Sequence, residues 1–131
     1  MRKEWSLNQF QAGTQVAIVD DDLSVREALT GFCESLGFAA TAFSSSEAFM
    51  VSNDVGNFGF IFIDAQMPGM DGLELRQWLF RNRITTPCIL MSSLPDETLR
   101  VSALSSGAFE FLKKPFDFDM LVDTITRLQP R

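Results

Sequence analysis

The chain of 131 residues is long enough for one domain with a single sizeable core and too short for two ordinary ones. An apolar fraction of 46% argues against disorder, and 17 acidic against 11 basic residues, net −6, disfavour direct nucleic-acid binding or an anionic membrane surface. There is no His, which removes imidazole as base, metal ligand or phosphoryl acceptor, and no apolar run long enough to span a bilayer, so a cytoplasmic protein is expected.

Residues 1–14 read as an N-terminal extension, loosely ordered and carrying Trp5, and residues 15–129 as the folded domain. Val16 to Asp20 is the first predicted strand. Val25, Ala28, Leu29, Phe32, Cys33 and Leu36 then recur at helical spacing, with Ser24 and Glu27 as a capping box and Gly37 as a stop. Phe38 to Phe43 reads as a second strand, and Ser44 with Glu47 as another capping box before a short helix to about Val51. Phe58 to Ile63 is apolar on both faces, as a central parallel strand covered by helices should be. Asp71 and Gly72 start a helix through Arg83 that turns Leu75, Trp78 and Leu79 inward.

Cys88 to Met91 follows Thr86-Pro87 as strand four, and Pro95-Asp96-Glu97 opens a helix with acids near its positive end that Gly107 closes. Leu99, Val101, Ala103 and Leu104 lie too close together on that helix for all to face the core. Ala108 to Leu112 is the fifth strand, and Phe118, Leu121, Val122 and Ile125 form the stripe of a last helix. Cys33 and Cys88 read as small core residues. Five β/α units with short parallel crossovers predict a three-layer, doubly wound α/β domain, because right-handed connections put helices on both faces.

Three of the strands deliver oxygen at their carboxyl ends: Asp20-Asp21-Asp22, Asp64, and Ser92-Ser93. Open α/β sheets bind their ligands at that edge. Carboxylates about 5 Å apart at an effective dielectric of about 20 repel by roughly 3 kcal/mol per pair. Three such pairs approach the whole stability of a small domain, roughly 5 to 15 kcal/mol. A divalent cation relieves this, and oxygen ligands without His or Cys favour Mg²⁺. One nucleophilic carboxylate, one metal, one fixed cation in Lys114 and one hydroxyl make a kit for phosphoryl transfer.

Val19-Asp20-Asp21, the segment Asp64-Ala65-Gln66-Met67-Pro68-Gly69-Met70-Asp71-Gly72, Ser92 and Lys114-Pro115-Phe116 together resemble the receiver domain of two-component response regulators. The resemblance covers about residues 15 to 129 and implies a flavodoxin-like sheet of order 2-1-3-4-5. It makes Asp64 the phosphoacceptor for a sensor histidine kinase or phosphotransfer protein. It implies Mg²⁺ held by Asp21, Asp64 and the backbone carbonyl of Gln66, with Asp20 acting through water. Lys114 would pair with Asp64 and then with the phosphoryl group, Ser92 would donate its hydroxyl, and Phe111 would switch rotamer. The chain would catalyse its own phosphorylation and dephosphorylation rather than turn over a substrate.

Each residue has a plainer reading. Asp20-Asp21-Asp22 alone would be a helix cap, Lys114 a surface residue before a turn, Ser92 a hydroxyl bonded to backbone, and Phe111 one more core aromatic in a chain that has 13 Phe. Their joint order along the chain favours the site, while Asp22 and Ser93 keep the plain reading. The output surface implied is the helix from Asp96 to Ser106, strand five and the last helix, which would serve a partner or a homodimer. No output module follows Arg131, so the chain is expected either to act as a stand-alone phosphoryl shuttle or sink, or to be a fragment, with a transcriptional output. An Asp-nucleophile phosphohydrolase is the enzymatic alternative. It would place a second acid two positions after the nucleophile, where this chain has Gln66.

Overall fold

The computed structural model describes residues 7–94 and 96–128. Strands β1 (Gln15–Val19), β2 (Ala39–Phe43), β3 (Phe60–Asp64), β4 (Cys88–Ser92) and β5 (Glu110–Lys113) alternate with helices α1 (Leu23–Ser35), α2 (Ser46–Met50), α3 (Gly72–Arg81), α4 (Glu97–Ser105) and α5 (Phe118–Thr126). Neighbouring strands all pair in parallel, in the order β2-β1-β3-β4-β5. This is the flavodoxin-like, doubly wound arrangement, whose strand order reverses between β1 and β3.

Successive strand residues point to opposite faces, so each strand feeds two cores. Val16, Ile18, Phe60, Phe62, Ile89 and Met91 meet Leu29 and Cys33 of α1 and Leu121 and Ile125 of α5. On the other face Ala17, Val19, Ile61, Ile63 and Leu90 meet Phe49 of α2, Leu75 and Leu79 of α3, and Ala103 of α4. All five residues of β3 and of β4 are buried, which is why those segments read as unbroken apolar runs. Both cysteines are free and buried, and burial pushes each thiol up to about 12, so neither is a reactive thiolate.

Several local expectations give way to closer competitors. Asp22, not Ser24, caps α1, its carboxylate accepting the Ser24 N–H at 2.8 Å. Ser45, not Ser44, caps α2 by accepting from the Ala48 N–H at 3.0 Å. Asp71 does form a full capping box with Glu74 at the start of α3. Ala28 is exposed rather than inward. Phe118 is 63% exposed, with its ring stacked on Phe32 at 5.3 Å instead of buried in the stripe. Of the four apolar positions on α4, only Ala103 is buried, and Val101 is 53% exposed.

Residues 7–14 depart from the expected loose extension, whose earlier part, with Trp5, lies outside the described residues. Leu7 and Phe10 pack on the α1/α5 core, and the Phe10 ring meets Phe38 edge-on at 5.3 Å and Phe60 at 5.7 Å. Gln9 donates its Nε2 hydrogens toward the carbonyls of Thr126 at 3.1 Å and Leu128 at 3.4 Å. Residues 7–14 therefore close the end of the domain opposite the carboxyl edge of the sheet. Among the described residues no helix is long and apolar enough to cross a membrane.

Candidate functional site

Parallel register brings the acidic strand ends together. Val19 of β1 lies across from Ile63 of β3, so Asp20 and Asp64 follow as neighbours, and Asp64 itself lies across from Met91, one residue before Ser92. On the far side Ser92 lies across from Lys113, and the Lys114 N–H donates to the Ser92 carbonyl at 2.8 Å. Four strands thus bring their carboxyl ends to one rim. Carboxylate oxygens of Asp20, Asp21 and Asp64 all lie within 4.8 Å of one another.

Burial is unequal within this group. Asp20 is fully buried and Asp64 is 5% exposed, whereas Asp21 is open to solvent. The Asp20 Oδ1 accepts the Asp22 N–H at 2.9 Å, its Oδ2 accepts from Lys114 Nζ at 2.7 Å, and its backbone carbonyl accepts from Arg26 at 2.9 Å. Asp64 has less support. Its Oδ1 accepts the Gln66 N–H at 3.3 Å and lies 3.5 Å from Lys114 Nζ. Burial first, and then the negative charge of Asp20, push the Asp64 carboxyl up to about 6, against the opposing pull of Lys114 and the Gln66 N–H. Lys114 was expected to pair with Asp64, but its shorter contact is to Asp20, the acid with no solvent to stabilise it.

Three carboxylates against one ammonium leave an all-oxygen donor set with excess negative charge, which fits a hard divalent cation such as Mg²⁺. Gly72 holds β3 against α3: a Cβ there would overlap the Asp64 carbonyl oxygen and come within 2.9 Å of the Ala65 Cα. The intervening loop is tied by Glu47, whose Oε2 accepts the Met70 N–H at 2.9 Å.

Ser92 is fully buried at the same rim, where its hydroxyl donates to Gln66 Oε1 at 2.7 Å and accepts the Leu94 N–H at 3.0 Å. Phe111 stands half-buried on β5 against the core that faces α4. Three supporting residues went unread in the sequence: Arg26 on the Asp20 carbonyl, Glu47 on the loop, and the Gln66 side chain on Ser92. Glu47 had a local signal, but it pointed to the α2 cap rather than across the fold.

A family model for the response regulator receiver domain matches residues 16–126. The chain belongs to that family. Among curated relatives it is 34% identical over 110 residues to the transcriptional regulatory protein FixJ of Bradyrhizobium diazoefficiens, covering 84% of this chain and 54% of that protein. It is likewise 34% identical over 118 residues to the C4-dicarboxylate transport transcriptional regulatory protein DctD of Pseudomonas aeruginosa, covering 90% of this chain and 26% of that protein. The receiver thus spans about half the length of the first relative and a quarter of the second. The crystal structure of FixJ-N superposes with a TM-score of 0.78 at 33% identity, covering 88% of this chain and 92% of that one. The chain is a two-component receiver domain, a signalling module whose acidic rim has the composition for phosphorylation-dependent switching.

Proposed function

We propose that Asp64 is the phosphoacceptor and that its modification sets the state of the α4-β5-α5 surface. The observation that carries this is the convergence of Asp20, Asp21 and Asp64 within 4.8 Å, with Lys114 Nζ 2.7 Å from Asp20 and 3.5 Å from Asp64. An Asp64 carboxylate oxygen would form the new O–P bond while the P–N bond of a phosphohistidine on a sensor kinase or phosphotransfer protein breaks, its electron pair returning to the imidazole. Asp20, Asp21, Asp64 and the Gln66 backbone carbonyl would hold Mg²⁺. When bound, the cation would offset the carboxylate charge and that of the incoming phosphoryl oxygens. Lys114 supplies a fixed positive charge on the other side, and Ser92 carries the hydroxyl nearest the rim of β4. A cytoplasmic location belongs to the same reading.

The coupling we assign is local. To donate to a phosphoryl oxygen, the Ser92 hydroxyl has to leave Gln66 Oε1, which would draw the β4–α4 loop toward Asp64 and change the space available to Phe111. Leu94, Val101 and Met120, each more than half exposed, lie on or beside the α4-β5-α5 face, which suits a partner or a second copy. A transcriptional output, like that named for the FixJ and DctD relatives, is the corresponding role for the whole protein. A phosphohydrolase is disfavoured, because Gln66 offers an amide, already hydrogen-bonded to Ser92, where a general acid would be required.

Incubation with Mg²⁺ and acetyl phosphate followed by intact-mass measurement tests the assignment. The expected result is a single transient phosphoryl adduct that is absent in Asp64→Asn and requires Mg²⁺. Steady phosphate release without an adduct would instead support the hydrolase, and no adduct at all would reduce the domain to an inert module.

A further inference from the structure

The carboxyl end of α3 carries a groove that the acidic rim does not use. It encloses about 570 Å³ and is lined by Arg76, Phe80, Arg81, Arg83 and Ile84. Because α3 begins beside the carboxyl end of β3 and runs back toward the start of β4, the groove lies at the opposite end of the sheet from Asp64.

Its charge is uncompensated in a chain whose net charge is −6. Arg100 and Arg127 are paired with carboxylates and Arg26 with a carbonyl, but among the described residues Arg81 and Arg83 form no ion pair. Arg76 donates one Nη2 hydrogen to the Gly107 carbonyl at 3.2 Å, while its buried Nε and Nη1 have no partner. Basic residues suit a helix carboxyl terminus through the helix dipole, and that is the competing explanation. It does not account for this end. The carbonyls of Trp78, Leu79 and Phe80 already accept amide hydrogens from Asn82, Ile84 and Arg83, and the Asn82 side chain adds a bond to Trp78 at 2.8 Å. No guanidinium is needed to satisfy them.

Two further features point outward. Arg83 holds φ +58, a left-handed conformation that glycine or asparagine adopts with less strain, so a long cationic side chain stands where the backbone disfavours one. Phe80, 71% exposed, stands among these arginines as an unburied aromatic ring. Arginine and aromatic residues are the types that carry most interface energy, and guanidinium groups bind carboxylates in paired hydrogen bonds.

We propose that this groove docks an acidic peptide segment of a partner protein, its carboxylates on Arg81 and Arg83 and an apolar side chain against Phe80 and Ile84. A nucleic-acid duplex or an anionic bilayer fits less well. An extended polyanion meets the repulsion of the whole acidic body, whereas a short segment meets mainly the local cations, and the groove has the volume for a few side chains rather than a flat contact. Its distance from the phosphoacceptor rim lets both be occupied together.

The test titrates the chain with a pool of short fluorescein-labelled peptides in which Asp and Glu alternate with Phe, Leu or Trp, read by anisotropy and by amide NMR shifts. Binding should saturate and shift the amides of residues 80–85. Arg83→Glu should weaken it about tenfold or more, with acetyl-phosphate labelling of Asp64 unchanged. Arg83→Gly separates binding from folding, since relief of the left-handed strain should raise the melting temperature while peptide affinity falls. The proposal is overturned if the pool fails to bind at about 1 mM, if both Arg83 variants bind as the parent does, or if only a DNA duplex or anionic vesicles bind with this arginine dependence.

Discussion

The ammonium of Lys114 reaches 2.7 Å from Oδ2 of Asp20, across 94 positions of chain, and closes the one ion pair of the rim in which the acid is wholly buried. Removing one partner of such a pair leaves an uncompensated charge, at a typical cost of about 3–5 kcal/mol. Lys114→Met should therefore destabilise the domain by about 3 kcal/mol at neutral pH in the presence of a chelator, since Asp20 keeps its bond from the Asp22 N–H. Saturating Mg²⁺ should narrow the gap, because a cation at the rim replaces part of the lost charge. Urea denaturation with and without Mg²⁺ measures both, and a variant as stable as the parent in chelator would contradict the pairing.

Asp64 gives the fold an acid-side dependence of definite sign. Its carboxyl is pushed up to about 6 in the folded state, against about 3.9 for an unfolded Asp. Between these values the native state binds more protons than the unfolded one, so the contribution of this group falls as pH rises from about 4 to 6 and is flat above. The span is on the order of 3 kcal/mol. Asp64→Asn removes it, so the stability advantage of the variant over the parent should grow from pH 4 to pH 7 in metal-free buffer. A constant difference across that range would show that the carboxyl is not shifted. Acyl-phosphate formation, which needs the anion, should level off below pH 6 at saturating Mg²⁺, because a cation at the rim favours the ionised carboxyl.

Gly72 and Gly31 make a paired test of how tightly β3 is held. At Gly72 a methyl group would run into backbone atoms of Asp64 and Ala65, which cannot rotate away, whereas at Gly31 nothing lies within 4 Å. Gly72→Ala should cost about 2 kcal/mol and slow labelling of Asp64. Gly31→Ala, on the exposed side of α1, should stabilise by about 0.5–1 kcal/mol through helix propensity. Equal effects at the two positions would mean that the β3–α3 junction yields easily.

These contacts also show where the chain was readable and where it was not. β3 and β4 were plain because burial on both faces leaves only apolar residues, and Asp20, Asp64 and Ser92 were plain because each ends such a run. Ser24 with Glu27 and Ser44 with Glu47 match the capping-box pattern, yet the oxygens of Asp22 and Ser45 reach the helix ends first. Glu47, released from that role, crosses 23 positions to Met70. Partners so distant in sequence are selected by side-chain reach across the finished sheet, and no local periodicity encodes them. Fold and acidic rim were therefore legible, while the ties that hold the rim in shape were not.

Gln66 and Ser92 meet through a 2.7 Å hydrogen bond across the rim, but the two residues should not contribute equally. Gln66 is exposed, and without it the Ser92 hydroxyl can turn to the Leu94 carbonyl at 3.2 Å, so Gln66→Ala should cost less than about 1 kcal/mol. Ser92→Ala also strips the Leu94 N–H of its acceptor and should cost about 1–2 kcal/mol. Denaturant midpoints for the two single variants and the double variant give the order and the coupling. The reverse order would place the support of the β4–α4 loop on Gln66 instead.

Residues 7–14 tie the start of the chain to the end of α5, and two substitutions separate the parts of that tie. Phe10 fills the space beside Phe38 and Phe60 but is only half-buried, so Phe10→Ala should cost about 2 kcal/mol, below the range for a fully enclosed ring. Gln9 serves the last carbonyls of α5, bonding Thr126 and Leu128 from outside the helix, and Gln9→Ala should cost less than about 1 kcal/mol. Their dynamic signatures should differ more than their energies. Gln9→Ala should speed hydrogen exchange at Arg127 and Leu128, whose amides close the last turn of α5, and leave β1 and β2 unchanged. Phe10→Ala should speed exchange in both regions, because its ring bridges Phe38, next to β2, and Phe60 of β3. Parent-like exchange at the α5 terminus in both variants would mean that α5 holds its end without the N-terminal residues, and that their docking stabilises only the edge of the sheet.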